Sequence, residues 1–275
     1  MIKMFEIHNG DNGSVINFAN NEANYDLIEV TGVNGYEKNI NTTQRSGGDG
    51  STFNSERTPE REINVVVKPK GDIETKRQAV AKLIACGANG VVILIQTDNR
   101  RVNISGHGKI INSDAFTENE LISMSFICPS PYFKAWNYDD TDIAKGTSTT
   151  TVANNGDIPI GFRATFNLTS ISNSPTKISI EKQDSRGNHK IIINYPDGFQ
   201  TGDTISIIND SDKKEVTLSR SGVAYNLVGY IDWQNTEWFD LKTGNSYIRY
   251  AIGGVYAYTG TATCTLTKQD LYSSI

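Results

Sequence analysis

Apolar and polar positions alternate along most of this chain, and the alternation predicts strands far more often than helices. In Arg61 to Lys68, REINVVVK, Ile63, Val65 and Val67 share one face and alternate with Glu62, Asn64 and Val66, the pattern of a half-buried strand. Leu121 to Cys128, LISMSFIC, has two largely apolar faces and predicts a strand buried on both sides. Pro129 and Pro131 then remove two backbone donors and push the residues before them toward extended conformations, so the ladder stops there. Tyr132 and Phe133 follow the break, and past Trp136 the chain turns small and polar. Pro129, Pro131, Tyr132 and Phe133 are therefore expected to form a structural anchor at a seam between two domains.

Before the seam, Leu27, Ile28 and Val30 predict a short strand ending at Gly32. Asn39 to Pro59 is polar, contains SGGDGS at Ser46 to Ser51, and reads as an extended loop or a mobile hairpin. Ile73 to Cys86 has helical spacing, with Asp72 as N-cap, Gly87 as stop, and a stripe of Ile73, Arg77, Val80, Leu83 and Ile84. Val91 to Gln96 and Arg101 to Ser105 predict a hairpin about a turn at Asp98 and Asn99. Gly106 and Gly108 around His107 mark a bulge or bend, Lys109 to Ile111 continues the sheet, and Ser113 to Asn119 turns.

After the seam, Asn137 to Gly156 reads as a linker or surface loop. Alternation then resumes at Phe162 to Leu168 and recurs at Ile178 to Ile180, Ile191 to Tyr195, Ile205 to Ile208 and Val216 to Leu218. Further strands are predicted at Val223 to Asp232, Trp238 to Leu241, Tyr247 to Ile252 and Ala262 to Leu266, spaced as in a sandwich. The fold class is thus mainly β. A domain at 1–135 (α+β, a sheet or sandwich with one helix) precedes a β-sandwich at 136–275.

A length of 275 residues with 37% hydrophobic content suits two domains with real cores. The net charge of -5 argues against a surface built to bind nucleic acid or acidic membranes. Cys86, Cys128 and Cys264 are odd in number and widely spaced, which points to reduced structural cysteines. The start of the chain lacks a signal-like apolar stretch, and Val91 to Ile95 is too short to span a bilayer, so folding in a cytoplasm without membrane insertion is expected.

No arrangement of residues points to a catalytic centre, a cofactor or a metal. Asp139, Asp140 and Asp142 have no accompanying histidine, and His8, His107 and His189 lack ligand spacing. The glycine-rich SGGDGS lacks the Lys and the helix of a phosphate loop. Tyr225, Tyr230, Trp233, Trp238, Phe239, Tyr247, Tyr250, Tyr256 and Tyr258 offer either a sugar-stacking platform or ordinary core and cross-strand packing.

Taken in order, REINVVVK, the helix with Arg77 and Leu83, VVILI, RRVNISGHGKI and SFICPSPYF resemble the siphophage distal tail (Dit) family. Ser130 stands where that family often has an acidic residue. FRATFNL and the turn with Leu241, Gly244 and Asn245 are similar to its C-terminal sandwich. The resemblance implies a non-enzymatic structural hub at the distal end of a phage or prophage-derived tail, made in the host bacterial cytoplasm and ending at the virion tail tip. It implies a homo-hexameric ring of N-terminal domains and galectin-like C-terminal domains, with the tail-tube protein and tail-associated or receptor-binding proteins as partners. DNA would pass through without specific binding. The alternative expectation is a carbohydrate-binding adhesion module recognising host cell-wall glycans.

Overall fold

A computed structural model describes residues 2–18, 24–35, 37–85, 87–113, 121–185, 187–210, 213–254 and 260–275. The fold is mainly β, and the chain divides into two compact units. The first comprises Met1–Trp136 together with Tyr272–Ile275, and the second Asn137–Leu271. The end of the chain thus differs from the expected 136–275 domain, because its last four residues lie in the first unit.

The first unit runs β1 (Ile2–Asn9), β2 (Val15–Asn17), β3 (Tyr25–Thr31), β4 (Asn39–Gln44), β5 (Ser51–Arg57), β6 (Arg61–Pro69), α1 (Ile73–Ile84), β7 (Val91–Thr97), β8 (Arg101–Ser113), β9 (Ile122–Cys128) and β10 (Phe133–Ala135). Its main sheet has the order β2-β1-β7-β8-β9-β6-β3, with β10 beside β8. Its first strand lies in a stretch for which alternation predicts none: Phe5 and Ile7 of β1 are fully buried against β7. The apolar strand before the two prolines is β9, lying between β8 and β6, with Met124, Phe126 and Cys128 in the core.

The glycines at 106 and 108 mark where β8 changes partner. Val91 to Gln96 pair with Arg101 to Gly106, whereas His107 onward pairs with β9, with a register shift between Gly108 and Ile110. A Cβ on Gly108 would lie 2.0 Å from Ile84 Cγ2, so the missing side chain is what lets the end of α1 reach the sheet. Asp72 caps α1 by accepting from Thr75 N. The helix ends at Ile84 rather than at residue 86, and Asn9 Nδ2 donates to the Leu83 carbonyl at 2.8 Å, giving an end carbonyl a partner from β1. Cys86 and the turn expected over 114–119 lie outside the described residues.

The second unit contains β11 (Asp139–Asp142), β12 (Ala144–Lys145), β13 (Thr150–Asn154), β14 (Phe162–Ser170), β15 (Lys177–Asp184), β16 (Gly187–Asn194), β17 (Thr204–Asn209), β18 (Lys214–Arg220), β19 (Val223–Asn226), β20 (Gly244–Ile252) and β21 (Thr261–Lys268), and the short β22 (Leu271–Tyr272) falls where the chain passes back into the first unit. One sheet has the order β11-β21-β14-β17-β18-β19. The other has β12-β20-β15-β16, with β13 against β20. They share one core, in which Phe166 of β14 meets Tyr250 of β20 edge-on at 5.6 Å.

Three expectations are corrected here. The segment 137–156 is not a loop: β11 to β13 join both sheets, because Asp140 and Asp142 accept from Thr267 and Thr265 across the ladder. Val223 to Asp232 is a strand only as far as Asn226, followed by a 3-10 turn at Val228–Tyr230. Trp238 to Leu241 forms a single bridge, Ile160 to Leu241, since Phe239 and Leu241 fill the core from an irregular segment.

Candidate functional site

The long polar segment before β6 is a two-stranded hairpin, β4 paired with β5, and the SGGDGS glycines form its turn. Every residue of both strands is exposed, including Ile40 and Phe53, and among the described residues neither strand pairs with any other. Side-chain links run along it: Lys38 Nζ to Glu56 at 2.7 Å, and Asn54 Nδ2 to Thr43 Oγ1 at 2.6 Å. An isolated two-stranded ribbon is marginal in water, and its open edges are a template for another chain.

Arg61 sits at the root of this hairpin. It is in phase with Ile63, Val65 and Val67 and is therefore buried, 6% exposed, at the first position of β6. Its Nε donates to the Pro131 carbonyl at 2.7 Å, one terminal nitrogen to Gly32 at 2.6 Å and the other to Ser273 at 2.7 Å. The guanidinium also lies 4.7 Å from the centre of the Phe133 ring. Burial lowers its pKa, yet an arginine stays charged, so the cation is held by carbonyl dipoles and a ring face. Gly32 is required here: its φ is +80°, and a Cβ would lie 1.9 Å from the Glu62 carbonyl.

Around this point opens a cleft of about 680 Å³, lined by Glu37, Glu60, Glu62, Lys109, Ile127 and Pro131 among others. Glu62 accepts from Ser125 Oγ at 2.6 Å and from Lys109 Nζ at 3.3 Å, and these bonds hold its carboxyl below the usual range. The end of the chain completes the region. β22 pairs with β10, and Arg100 lies 4.5 Å from the Tyr272 ring centre while donating to the Ser274 carbonyl at 3.1 Å. Ile275 packs against the first core.

Of the four seam residues, Phe133 is fully buried in the first core, Pro131 supplies its carbonyl to Arg61, and the Tyr132 hydroxyl donates to Thr58 Oγ1 at 3.4 Å. Pro129 is exposed immediately after β9 ends. No sequence motif marks Arg61, Arg100 and the tail as one region. The available signal was Arg61 itself, a charge in phase with a buried strand face.

The remaining candidates resolve into structural pairs. Asp139 accepts from Lys268, which is also bound to Asp270. His189 lies between Glu237 and Asp184, and His8 beside Glu6. Burial pushes the Cys128 thiol up to about 12 and raises that of Cys264 as well, so both are inert as nucleophiles. Phe239 and Tyr250 are core residues, Tyr225, Tyr230, Trp233 and Tyr247 are exposed, and 256 and 258 lie outside the described residues.

Comparison with solved structures adds a decisive observation. The chain is similar to the SPP1 Dit protein, described as a paradigm of the hub adsorption apparatus in Gram-positive infecting phages, over 96% of this chain and 98% of that one, with 18% identity and a TM-score of 0.68. It has the Dit fold. A chain of the phage P2 baseplate, in its activated conformation with Ca, matches over 100% of both chains at 11% identity and a TM-score of 0.51. No family model and no curated protein matches the sequence. At such identities the likeness is one of backbone fold.

Proposed function

We propose that this chain is a non-enzymatic structural hub at the distal end of a phage or prophage-derived tail, forming a ring that joins the tail tube to the tail-tip and receptor-binding apparatus. The observation that carries the reading is the full-length match to SPP1 Dit. The first unit, nominally 1–135 with the tail added, forms a homo-hexameric ring. A head-to-tail contact that closes needs two different surfaces on each copy. The β4–β5 hairpin, paired with no other strand among the described residues, supplies one in this reading, and the cleft at its root the other.

Tail-tube protein and tail-associated or receptor-binding proteins are the expected partners, with the protein made in the host cytoplasm and DNA passing without specific binding. Pro129, Pro131, Tyr132 and Phe133 act as the interdomain anchor in this reading. Negative-stain imaging of the purified protein tests it, with six-fold rings expected. A strictly monomeric species at every concentration, or rings of another symmetry, counts against the hexameric hub.

A further inference from the structure

Asn34 and Gly35 line the cleft at the hairpin root, and both are exposed. Asparagine followed by glycine is open to an intramolecular reaction, because glycine has no Cβ to keep its backbone nitrogen away from the preceding side-chain amide. The chain has five such steps, at Asn9, Asn12, Asn34, Asn89 and Asn155. Their surroundings divide them.

At every step but the one in the cleft, the glycine nitrogen is already engaged. Gly10 N donates to Gly90 O at 2.9 Å, Gly13 N to Asn9 O at 3.0 Å, Gly90 N to Gly87 O at 3.4 Å, and Gly156 N to Asn154 Oδ1 at 2.9 Å. The asparagines before them are held as well. Asn9 Nδ2 donates to Leu83 O, Asn12 Oδ1 accepts from Ser14 N, and Asn89 Nδ2 donates to Asp11 Oδ1, each at 2.8 Å, while Asn155 N donates to Asp270 at 3.2 Å. These bonds have to open locally before the nitrogen can attack.

The step in the cleft is built differently. Among the described residues, no hydrogen bond holds the Asn34 side chain or the Gly35 nitrogen. Gly35 has a φ of +64°, and a Cβ placed on it would meet nothing within 4 Å, so a ring can close there without displacing a neighbour.

We propose that Asn34 is a site of selective spontaneous deamidation, which places a new carboxylate in the cleft. The Gly35 nitrogen gives its proton to hydroxide and bonds to Asn34 Cγ, and ammonia leaves the amide. Water then opens the succinimide at one carbonyl or the other, leaving an aspartyl or an isoaspartyl residue at 34. The net reaction consumes one water and releases one ammonia. The new charge joins Glu37 and Glu60, which among the described residues stand in no ion pair, whereas Glu62 is bonded to Lys109. The cleft therefore grows more acidic as the protein ages. The reaction belongs to the single chain, and on the hub reading a neighbouring copy seated in the cleft slows it.

Incubation of the full chain in mildly alkaline buffer, with peptide mapping by mass spectrometry over time, tests the proposal. In the folded chain, conversion at residue 34 should run about fivefold or more faster than at 9, 12, 89 or 155, the margin that one retained hydrogen bond of ordinary strength supplies. In urea all these steps should react at comparable rates, which assigns the selectivity to the fold. Asn34→Gln should remove the fast component alone, since the longer side chain closes a larger imide ring slowly. The same time course on Phe53→Asp, altered on the exposed hairpin, separates the chemistry from assembly. Conversion at 34 in that variant but not in the unaltered chain supports the proposal and shows that a neighbour covers the cleft. The proposal is overturned if residue 34 stays intact in both folded chains, or if any other Asn-Gly step keeps pace with it.

Discussion

Arg61 concentrates more of the first unit's architecture than any other single side chain described above. Its three carbonyl partners come from the hairpin root, the segment after β9, and the chain end. Arg61→Ala leaves those acceptors without a donor, at about 1–3 kcal/mol for each one that stays buried. Urea unfolding should show the first unit's transition shifted to lower denaturant while the second unit's stays in place. Arg61→Lys should recover part of the loss, since one ammonium cannot reproduce the planar fork. Cys128 makes a pH prediction. Its thiol is raised from 9.0 to about 12 by burial, so the native state keeps a proton that the unfolded chain gives up. That contribution is complete below pH 9.0 and falls as pH rises toward 12. Cys128→Ala should start less stable, because a buried sulfur is lost, yet decline less steeply through this window in thermal melts.

At the scale of elements, two features separate what alternation reveals from what it hides. REINVVVK and LISMSFIC were legible because their periodicity reflects burial between neighbouring strands, and the Gly106 to Gly108 bend was legible because glycine has few other uses inside a strand. β1 was masked by its Asn-rich surroundings. β11 was masked by three aspartates whose partners, Lys268, Thr267 and Thr265, lie more than 120 residues away. Burial of polar groups by distant pairing leaves no local period to detect. The same applies to the cleft, whose lining comes from four separate stretches of chain. Gly108→Ala tests the helix seat: a Cβ 2.0 Å from Ile84 Cγ2 forces α1 outward, at about 1–3 kcal/mol. Ile84→Ala in the same chain should recover part of that loss, a coupling of about 0.5 kcal/mol or more in a double-mutant cycle. For the hairpin, on the hub reading proposed above, Phe53→Asp should abolish rings in negative stain while both unfolding transitions stay unchanged, because Phe53 is 58% exposed in the single chain.

The two units share one polypeptide in an unequal way. Alternation located the sandwich strands and the change near Trp136, but no periodicity flagged the return of Tyr272–Ile275, four residues held through backbone carbonyls, a ring and a short ladder. Carbonyl contacts do not depend on side-chain identity and so leave little trace in a sequence. Removing residues 272–275 should destabilise the first unit, read as a lower first transition in urea, with the sandwich unaffected. Replacing 138–270 by a short Gly/Ser linker should restore that transition and, on the hub reading, still yield rings. A linker variant as unstable as the truncated chain would show that the tail contributes nothing on its own.

The returning tail also bears on the order of events during synthesis. A ribosome releases the amino end first, and domains ordinarily fold as they emerge. Here Arg61 and Arg100 bond Ser273 and Ser274, which are made 212 and 174 residues after them. The first unit therefore completes these contacts only after the whole of the second unit, Asn137–Leu271, has been made, so the unit that begins first is the last to close.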